Sequence, residues 1–311
     1  MNAIRVQAPG FLTTVQDLGR PGHAASGVSA SGAADPIALA IGNRLVGNEL
    51  HAAALEMTMV GGAFRFEEDS VVALAGADSR AHLDGRPVSP WRAVAVAAGE
   101  LLECTALTGG ARSYLCIRGG ISVPLVFGSA STHVMTCLGG FFGRALRAGD
   151  RVGLGVAAPR APAPGAVDPS SIPGYRRDDP FRVTSGPQSS WFDERASSLL
   201  RESAWTVTEA CDRMGIRLAG ERIHPIVPRE MATEGVALGA IQIPPDGAPI
   251  VLFVEHQTTG GYPKIANVIA ADLPRLGGLR PRDVVTFRSV ALTEARALLR
   301  AQREALDALV A

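Results

Sequence analysis

Short apolar runs separated by glycine and proline constrain the fold of this chain more than any other feature. The 311 residues include 35 glycines and 21 prolines. Runs of apolar or alternating residues end at Gly, Pro or Asp, which is typical of short β-strands joined by turns. Hydrophobic residues form 47% of the chain and charged residues 19%, so the chain can build a core. The pattern predicts a strand-rich barrel or sandwich.

Eleven segments carry the strand pattern. They are residues 64–66, 71–75, 93–97, 113–117, 151–154, 181–183, 206–208, 217–218, 240–243, 250–254 and 284–287. Four segments carry helix patterns, namely residues 36–46, 191–201, 263–273 and 293–310. Asp35 and Pro36 mark the start of the first helix. Ser189 or Ser190 is expected to cap the second helix, and Pro274 ends the third.

A proline-rich segment divides the chain into halves of similar length. Residues 157–175 read AAPRAPAPGAVDPSSIPGY, with five prolines and few large apolar side chains. Such a composition predicts a linker. We therefore expect a β-rich N-terminal lobe over residues 1–156 and a β-rich C-terminal lobe over residues 176–311.

Charge and cysteine usage exclude several classes of protein. Lys plus Arg equals Asp plus Glu at 30 each, which argues against a nucleic-acid or anionic-membrane binder. The cysteines (Cys104, Cys116, Cys137 and Cys211) fit no zinc spacing and are interpreted as reduced, buried thiols. The histidines form no ligand pair, so no metal site is expected. The first ten residues have no signal-peptide pattern, and the uncharged stretch 119–143 is interpreted as packed strands and loops, so a cytoplasmic protein is expected.

One lysine stands among 30 basic residues, and it is Lys264. A phosphate-binding loop of the Gly-Lys-Ser/Thr type is excluded, because Pro263 and Ile265 flank this lysine. The same flanks exclude a biotin attachment turn. Arginine cannot replace a lysine that must lose a proton or act as a compact charge, so Lys264 is a candidate functional residue.

The segment around Lys264 carries the strongest local signal. Gln257, Thr258, Thr259, Gly260, Gly261 and Tyr262 lie between the predicted strand 250–254 and the predicted helix 263–273. A strand, a glycine-containing loop and a helix start together predict an anion site of backbone N–H groups. Lys264 would lie in the first turn and bind a carboxylate or phosphate, or act as a base. The alternative is an exposed lysine that points away, and spacing alone favours neither.

Four further polar residues have a functional and a structural interpretation. Asn43 lies off the apolar stripe of its helix, so it either binds a ligand or is simply solvated. Glu56 in an apolar context predicts burial with a partner, in a binding site or as a structural link. Asp212 and Arg213 precede a glycine, where they either order a turn or present Arg213 to an anion.

Several segments together resemble one family. They are TTVQDLGRPG (13–22), SASGAADP (29–36), GN (42–43) with LEMT (55–58), RGGISVP (118–124), DRMGIRLAG (212–220) and QTTGGYPKIANVIAADL (257–273). The chain is similar, over nearly its whole length, to the family of 5-oxoprolinase C subunits. This family is also called the biotin-dependent carboxyltransferase, or allophanate hydrolase subunit 2, family.

The resemblance implies a mainly β fold with a few helices, arranged as two cyclophilin-like β-barrel lobes. It implies action with the B and A subunits of 5-oxoprolinase in the ATP-dependent opening of 5-oxoproline to glutamate, with ATP on this chain or on the partner. Lys264, Gln257 and Glu255 would be catalytic. Substrate would be bound by Thr258, Thr259, Gly260, Gly261, Tyr262, Arg213, Asn43 and Glu56.

Three residues depart from the family pattern. Glu255 stands where Asp is expected before the loop, and its longer arm shifts the charge by about one methylene. Ala34 and Cys211 stand where Met and Ser are usual, and both are interpreted as packing changes.

Two other functions stay open at the level of sequence. Relatives fused into urea amidolyase transfer a carboxyl group from carboxybiotin to urea, and this chain would then need biotin from another chain. A further relative binds and antagonises an inhibitor of a sporulation kinase, which makes a regulatory binding protein the third hypothesis. The QTTGGYPK loop favours chemistry over binding alone.

Overall fold

The computed structural model describes residues 2–157, 166–171, 176, 179–226 and 231–310. The chain divides into two compact units. The first comprises Met1–Arg20, Ser31–Pro169 and Leu306–Ala311, and the second comprises Pro21–Ala30 and Ser170–Ala305. The sequence-based boundaries at residues 156 and 176 stay a prediction, and most of the expected linker 157–175 lies outside the described residues.

In its described residues, the first unit contains eleven strands, one complete α-helix and the end of a second. The strands are β1 (Ala3–Ala8), β2 (Leu12–Gln16), β3 (Ala54–Thr58), β4 (Ala63–Phe66), β5 (Ser70–Asp78), β6 (His82–Leu83), β7 (Arg86–Pro87), β8 (Ala93–Val96), β9 (Leu101–Glu103), β10 (Thr108–Ile117) and β11 (Arg151–Gly153). They form a six-stranded sheet in the order β11-β1-β4-β9-β6-β7 and a five-stranded sheet in the order β2-β3-β10-β5-β8. Strand β3 is buried throughout, and β1 and β4 combine buried and exposed positions, as strands on either side of a two-sheet core do.

Helix α1 (Pro36–Leu45) forms where its end signals predict it. The Asp35 carboxylate accepts hydrogen bonds from the backbone N–H groups of Ile37 and Ala38, at 3.1 and 3.0 Å, and Pro36 opens the helix. Gly42 lets the helix lie against β10, because a Cβ there would come within 2.6 Å of Cys116 Sγ. The prediction of a helix over residues 36–46 is confirmed.

The other ten strands and two α-helices of the described residues belong to the second unit. The strands are β12 (Phe181–Ser185), β13 (Trp205–Val207), β14 (Gly215–Ala219), β15 (Glu234–Gly235), β16 (Ala240–Gln242), β17 (Ile250–Leu252), β18 (Thr259–Gly260), β19 (Lys264–Val268), β20 (Val284–Val285) and β21 (Phe287–Ser289). The helices are α2 (Glu194–Glu202) and α3 (Leu292–Val310), whose last residues belong to the first unit. Short 3₁₀ turns are Ala24–Ser26, Val134–Thr136, Pro169–Ser171, Ser189–Trp191 and Leu273–Gly278.

Eight strands of the second unit form one sheet in the order β20-β13-β14-β17-β16-β19-β12-β21. Neighbours are antiparallel except β12 and β21, which are parallel. The sheet is nearly closed and barrel-like, and the expected mainly β class with a few helices is confirmed. Strands β15 and β18 pair separately as a short two-stranded ribbon, which we call the β15–β18 ribbon.

The predicted helix over residues 263–273 is wrong. Lys264–Val268 is strand β19, which pairs with β12 on one side and β16 on the other, and a 3₁₀ turn follows at Leu273–Gly278. The apolar side chains of Ile265 and Val268 fit a helix face and a fully buried strand equally well. Pairing on both edges of β19 decides between them.

The predicted helices over residues 191–201 and 293–310 are both present as α-helices, the first with a different start. Helix α2 begins at Glu194 rather than at residue 191, and its N-cap is Asp193, whose Oδ1 accepts the Ala196 N–H at 2.7 Å. Residues Ser189–Trp191 form a 3₁₀ turn instead of the cap. The predicted helix 293–310 is confirmed as α3.

The uncharged stretch 119–143 consists of loops, isolated bridges and one 3₁₀ turn, rather than a helix. Throughout the described part of the chain, no helix combines the length and apolarity needed to cross a membrane.

Candidate functional site

Lys264 lies at the start of β19, and its side chain is only 2% exposed. Its backbone N–H donates to Gln188 Oε1 at 3.1 Å, and its carbonyl accepts the Gln188 N–H at 3.2 Å. The expected ring of free N–H groups at a helix start is therefore wrong, because Lys264 belongs to a strand. The alternative of an exposed lysine is wrong as well.

The ammonium of Lys264 pairs with Glu234, with 2.6 Å between Nζ and Oε1. Gln188 Nε2 donates to the same oxygen at 3.0 Å. The hydrogen bond from Lys264, followed by that from Gln188, holds the pKa of the Glu234 carboxyl below its usual value. Sequence reasoning missed both partners. They lie 30 and 76 residues before Lys264, so no local spacing could have revealed them.

The β15–β18 ribbon brings Glu234 to Lys264. Glu234 is in register with Gly260 and Gly235 with Thr259, and the Val236 N–H donates to the carbonyl of Thr258 at 3.1 Å. Three of the predicted substrate-binding residues therefore lie on the strand that faces Glu234, or immediately before it.

Gln242 and Gln257 complete the group that we call the Lys264 cluster (Gln188, Glu234, Gln242, Gln257 and Lys264). Gln257 Nε2 donates to Gln242 Oε1 at 3.5 Å. Gln242 is 1% exposed, and within the described part of the chain its Nε2 has no hydrogen-bond partner. A buried donor without a partner is costly, so this amide is a candidate for ligand binding. A Cβ on Gly260 would come within 2.8 Å of this Nε2, so glycine permits the close approach of the ribbon.

Two cavities border the segment 257–263 that precedes Lys264, and Gln242 and Gln257 of the cluster line the first of them. The first, of about 520 Å³, has a partly polar lining that includes Asp212, Arg217, Arg222, Gln242, Gln257 and Tyr262. The second, of about 760 Å³, has a mainly apolar lining that includes Trp191, His224, Met231, Ile243, Gly261 and Tyr262. The half-exposed Tyr262 thus borders both cavities. Lys264 is not among the described residues that line either one.

Glu255 and Arg213 form a buried ion pair in the second unit. Arg213 Nε lies 2.5 Å from Glu255 Oε1, and the Glu255 N–H donates to the Arg213 carbonyl at 2.8 Å. The two residues therefore satisfy each other's charge. Asp212 orders the turn as its structural interpretation predicts, since its Oδ1 accepts the N–H groups of Met214 and Gly215 at 2.8 and 3.1 Å.

His256 lies between Glu255 and the loop, and its ring is partly buried. Its Nδ1 lies 2.6 Å from the carbonyl of Gln257. Burial lowers the pKa of His256 below 6.5, although the hydrogen bond to Gln257 acts in the opposite direction.

Asn43 belongs to the first unit, where it is fully buried, so the prediction of a solvated side chain is wrong. Its Nδ2 donates to the carbonyls of Ala52 and Leu50, at 2.7 and 3.3 Å, and its Oδ1 accepts from Asn48 Nδ2 at 3.0 Å. This arrangement ties the end of α1 to the chain that follows it.

Glu56 is also in the first unit and is 1% exposed, which confirms the predicted burial with a partner. Its Oε2 accepts the Tyr114 hydroxyl at 2.7 Å and the Ala34 N–H at 2.8 Å, and Arg112 Nε lies 3.6 Å from Oε1. Burial first, and the Glu56 charge second, raise the pKa of Tyr114 well above its usual value.

Neither a metal-binding group nor a disulfide bond is found among the described residues. Among the described residues, no group of three or more His, Cys, Asp or Glu could hold a metal ion. All four cysteines lie in the described part of the chain, and none of them forms a disulfide bond there. Cys104 and Cys116 are buried, and burial raises the pKa of the Cys104 thiol to about 12. The interpretation of all four as buried thiols is wrong for Cys137, which is exposed, and for Cys211, which is half-buried.

The fold and a match over most of the sequence define the class of this protein. Residues 26–289 match the family model described as carboxyltransferase domain, subdomain A and B, so the chain belongs to this carboxyltransferase family.

Two curated relatives are similar over nearly the whole chain. The chain is 37% identical to the C subunit of 5-oxoprolinase from Escherichia coli over 293 residues, which cover 94% of this chain and 93% of that protein. It is 35% identical to the C subunit of 5-oxoprolinase from Haemophilus influenzae, with the same two shares. The resemblance inferred from the motifs is confirmed.

A solved structure shares the fold. The crystal structure of the Kluyveromyces lactis urea carboxylase matches 99% of this chain with a TM-score of 0.92 and 32% sequence identity. The match spans only 29% of the urea carboxylase chain.

Proposed function

We propose that the chain is the C subunit of an ATP-dependent 5-oxoprolinase, a hydrolase of a cyclic amide that works with its B and A subunits. The observation that carries the proposal is the similarity to two C subunits of 5-oxoprolinase over 93% of their length. Because the match covers both proteins almost completely, it extends to every segment from which the Lys264 cluster is built.

The cluster offers the chemistry that lactam opening needs. Negative charge develops on the lactam oxygen as the amide bond is attacked, and a cation fixed in a buried site stabilises that charge more strongly than one in water. Lys264 is the cation that would hold the substrate carboxylate or this oxygen. Gln257, Thr258 and Thr259 would orient the amide through neutral donors and acceptors.

ATP is proposed to bind the complex, on this chain or on the B subunit. The only lysine lies on a strand and pairs with Glu234, so a phosphate-binding loop of the Walker type is absent from this sequence. We also propose a cytoplasmic location for the complex, which the proposed use of ATP supports.

Biotin is proposed not to be attached to this chain. The support is the burial of its only lysine, since Lys264 is 2% exposed and an attachment lysine must be accessible to the ligating enzyme. No step of the proposed lactam opening requires biotin.

A carboxyltransferase is the second candidate. The likeness to urea carboxylase, with a TM-score of 0.92, favours it. Biotin on another chain would then supply the carboxyl group, and the residues of the Lys264 cluster would bind urea or a related amide as acceptor.

Reconstitution decides between the candidates. The chain is combined with the B and A subunits, and ATP turnover is measured with 5-oxoproline or urea, each with and without avidin. Turnover with 5-oxoproline that avidin does not change is expected. Turnover with urea that needs a biotinylated component and is abolished by avidin would favour the carboxyltransferase. Turnover with neither substrate would make a regulatory binding role the better hypothesis.

A further inference from the structure

Lys264 and Gln242 are direct neighbours across two strands. They are opposite each other in the antiparallel pairing of β19 and β16, directly after a register shift between Ile241 and Gln242. In a regular pair, side chains at opposite positions lie on the same face of a sheet, with Cβ atoms about 5 Å apart. Both side chains are at least 98% buried, and within the described residues Gln242 Nε2 has no hydrogen-bond partner. The pair therefore presents an ammonium and an amide donor on one buried patch.

Glu234 is a different kind of partner. Its side chain is 44% exposed and lies on a two-residue strand. Lys264 and Gln188 both contact the same oxygen, Oε1. Released from Lys264, the Glu234 carboxylate can be hydrated, whereas the ammonium stays buried and needs another anion.

We propose that Lys264 and Gln242 form a two-donor subsite for the carboxylate of a small-molecule ligand, and that the Glu234 carboxylate holds the Lys264 half of this subsite until the ligand displaces it. The inference rests on the proposed function, in which Lys264 binds substrate. A carboxylate fits because it offers two acceptor oxygens, one for the ammonium and one for the amide.

A cavity beside Gln242 gives such a ligand access to the proposed subsite. Gln242 and Gln257 line the cavity of about 520 Å³, and Tyr262 forms part of the same wall. A ligand carboxylate entering there reaches Gln242 first and then competes with Glu234 for Lys264. The backbone of the β15–β18 ribbon at Gly260 covers the Gln242 amide, so exchange is expected to move this ribbon.

The single lysine makes the subsite directly observable. Full-length protein labelled with ¹³C at the lysine Cε gives signals from one residue, Lys264. We would titrate this protein with 5-oxoproline, with proline, which has a carboxylate and no lactam carbonyl, and with 2-pyrrolidinone, which has the carbonyl and no carboxylate. The two carboxylates are expected to shift the Lys264 signal, and 2-pyrrolidinone is expected to leave it unchanged.

The direction in which Glu234 variants change the affinity for carboxylate ligands tests the proposal. Removal of a competing carboxylate tightens ligand binding, since less of the protein is held in the occupied state. Glu234→Ala and Glu234→Gln are therefore expected to bind the carboxylate ligands about tenfold more tightly than the wild type. The matched control is Glu209→Ala, which removes another ion-paired glutamate of the second unit, 67% exposed and 2.9 Å from Arg282, and is expected to leave the affinity unchanged.

Equal or weaker binding by both Glu234 variants would overturn the inference, because Glu234 would then support Lys264 rather than compete for it. A Lys264 signal that no carboxylate moves in any variant would overturn it too. A failure of the proposed function gives a different result. In Glu234→Ala, proline would then shift the Lys264 signal, and 5-oxoproline would leave it unchanged. The opposite case is also distinguishable. If the complex turns over 5-oxoproline but both Glu234 variants bind the carboxylate ligands more weakly than the wild type, the proposed subsite is wrong and the proposed function stands.

Discussion

At the scale of single residues, two glycines in the β15–β18 ribbon have different surroundings. A Cβ on Gly260 would meet Gln242 Nε2 at 2.8 Å, whereas a Cβ on Gly235 would find nothing within 4 Å. Sequence shows both simply as loop glycines. Only the buried Gln242, brought in by strand β16, distinguishes them.

The substitution Gly260→Ala is therefore expected to lower the free energy of unfolding by about 1–2 kcal/mol, because it overpacks the buried amide. Gly235→Ala, on the facing strand, is the matched control and should change it little. Urea denaturation of both variants checks the difference. Equal free energies of unfolding for Gly260→Ala and Gly235→Ala would mean that Gly260 is not packed closely against Gln242.

Tyr114 is expected to stabilise the first unit rather than to act on a ligand. Tyr114→Phe removes the hydrogen bond to the buried Glu56 carboxylate and leaves the Asp35 N–H, 2.8 Å from the hydroxyl, without this acceptor. The loss should be about 2 kcal/mol in the free energy of unfolding. Tyr262→Phe, at a half-exposed tyrosine, serves as the control in the same denaturation experiment and should cost far less. A larger loss for Tyr262→Phe would contradict this assignment.

At the scale of elements, sequence predicts what local chemistry determines. Helix α1 follows from Asp35 and Pro36, and α3 from its amphipathic stripe. The local pattern does not predict strands β1, β2 and β3, whose pairing partners lie far along the chain. Strand β19 was mistaken for a helix for the same reason: its pairing with β12 and β16 joins segments that no local window contains.

Asp272 precedes the 3₁₀ turn that follows β19, and it binds Arg182 of β12. Its carboxylate is fully buried, accepts the Arg182 N–H at 2.7 Å and binds the Arg182 guanidinium, and this hydrogen bond raises the pKa of Arg182. Arg275, which is buried, lies 3.5 Å from the same carboxylate. Asp272→Asn takes this counter-charge from both arginines and is expected to destabilise the protein by about 3–5 kcal/mol.

The control for Asp272 is an exposed pair in the same unit. Arg222 and Asp246 lie 3.9 Å apart with side chains more than half exposed, so Asp246→Asn should leave the stability nearly unchanged. Thermal unfolding of the two variants measures the contrast. A small effect of Asp272→Asn would contradict the role given to this ion pair.

The segment between β17 and β18 is expected to respond to pH through His256. Because its folded-state pKa lies below 6.5, the stability from the neutral ring is fully present above the unfolded-state pKa and is lost as the pH falls through the lowered value. His256→Gln should therefore reduce the drop in Tm between about pH 7 and pH 5. His51→Gln, at an exposed histidine, should leave the drop as in the wild type. An unchanged drop in His256→Gln would be inconsistent with this account.

At the scale of the whole molecule, sequence indicated the family, the mainly β class and the loop that carries Lys264. It could not indicate the partners of Lys264. Glu234 and Gln242 reach Lys264 through two separate strand pairings, and Gln188 reaches it from the loop that follows β12. Each is an ordinary polar residue in its own segment. Asn43 and Glu56 show the converse, because residues selected for isolated polarity turn out to be bonded inside the first unit.

The central claim is that the Lys264 cluster carries the chemistry of the complex. The most direct measurement is 5-oxoproline-dependent ATP turnover by the complex reconstituted with Lys264→Met, beside Arg282→Met, which removes an exposed, ion-paired cation of the same unit. The partner Glu234 is 44% exposed, so loss of the lysine leaves no buried charge and the variant is expected to fold. We predict a loss of turnover of about a hundredfold or more for Lys264→Met and none for Arg282→Met. Turnover by a folded Lys264→Met complex at the wild-type rate would contradict the account.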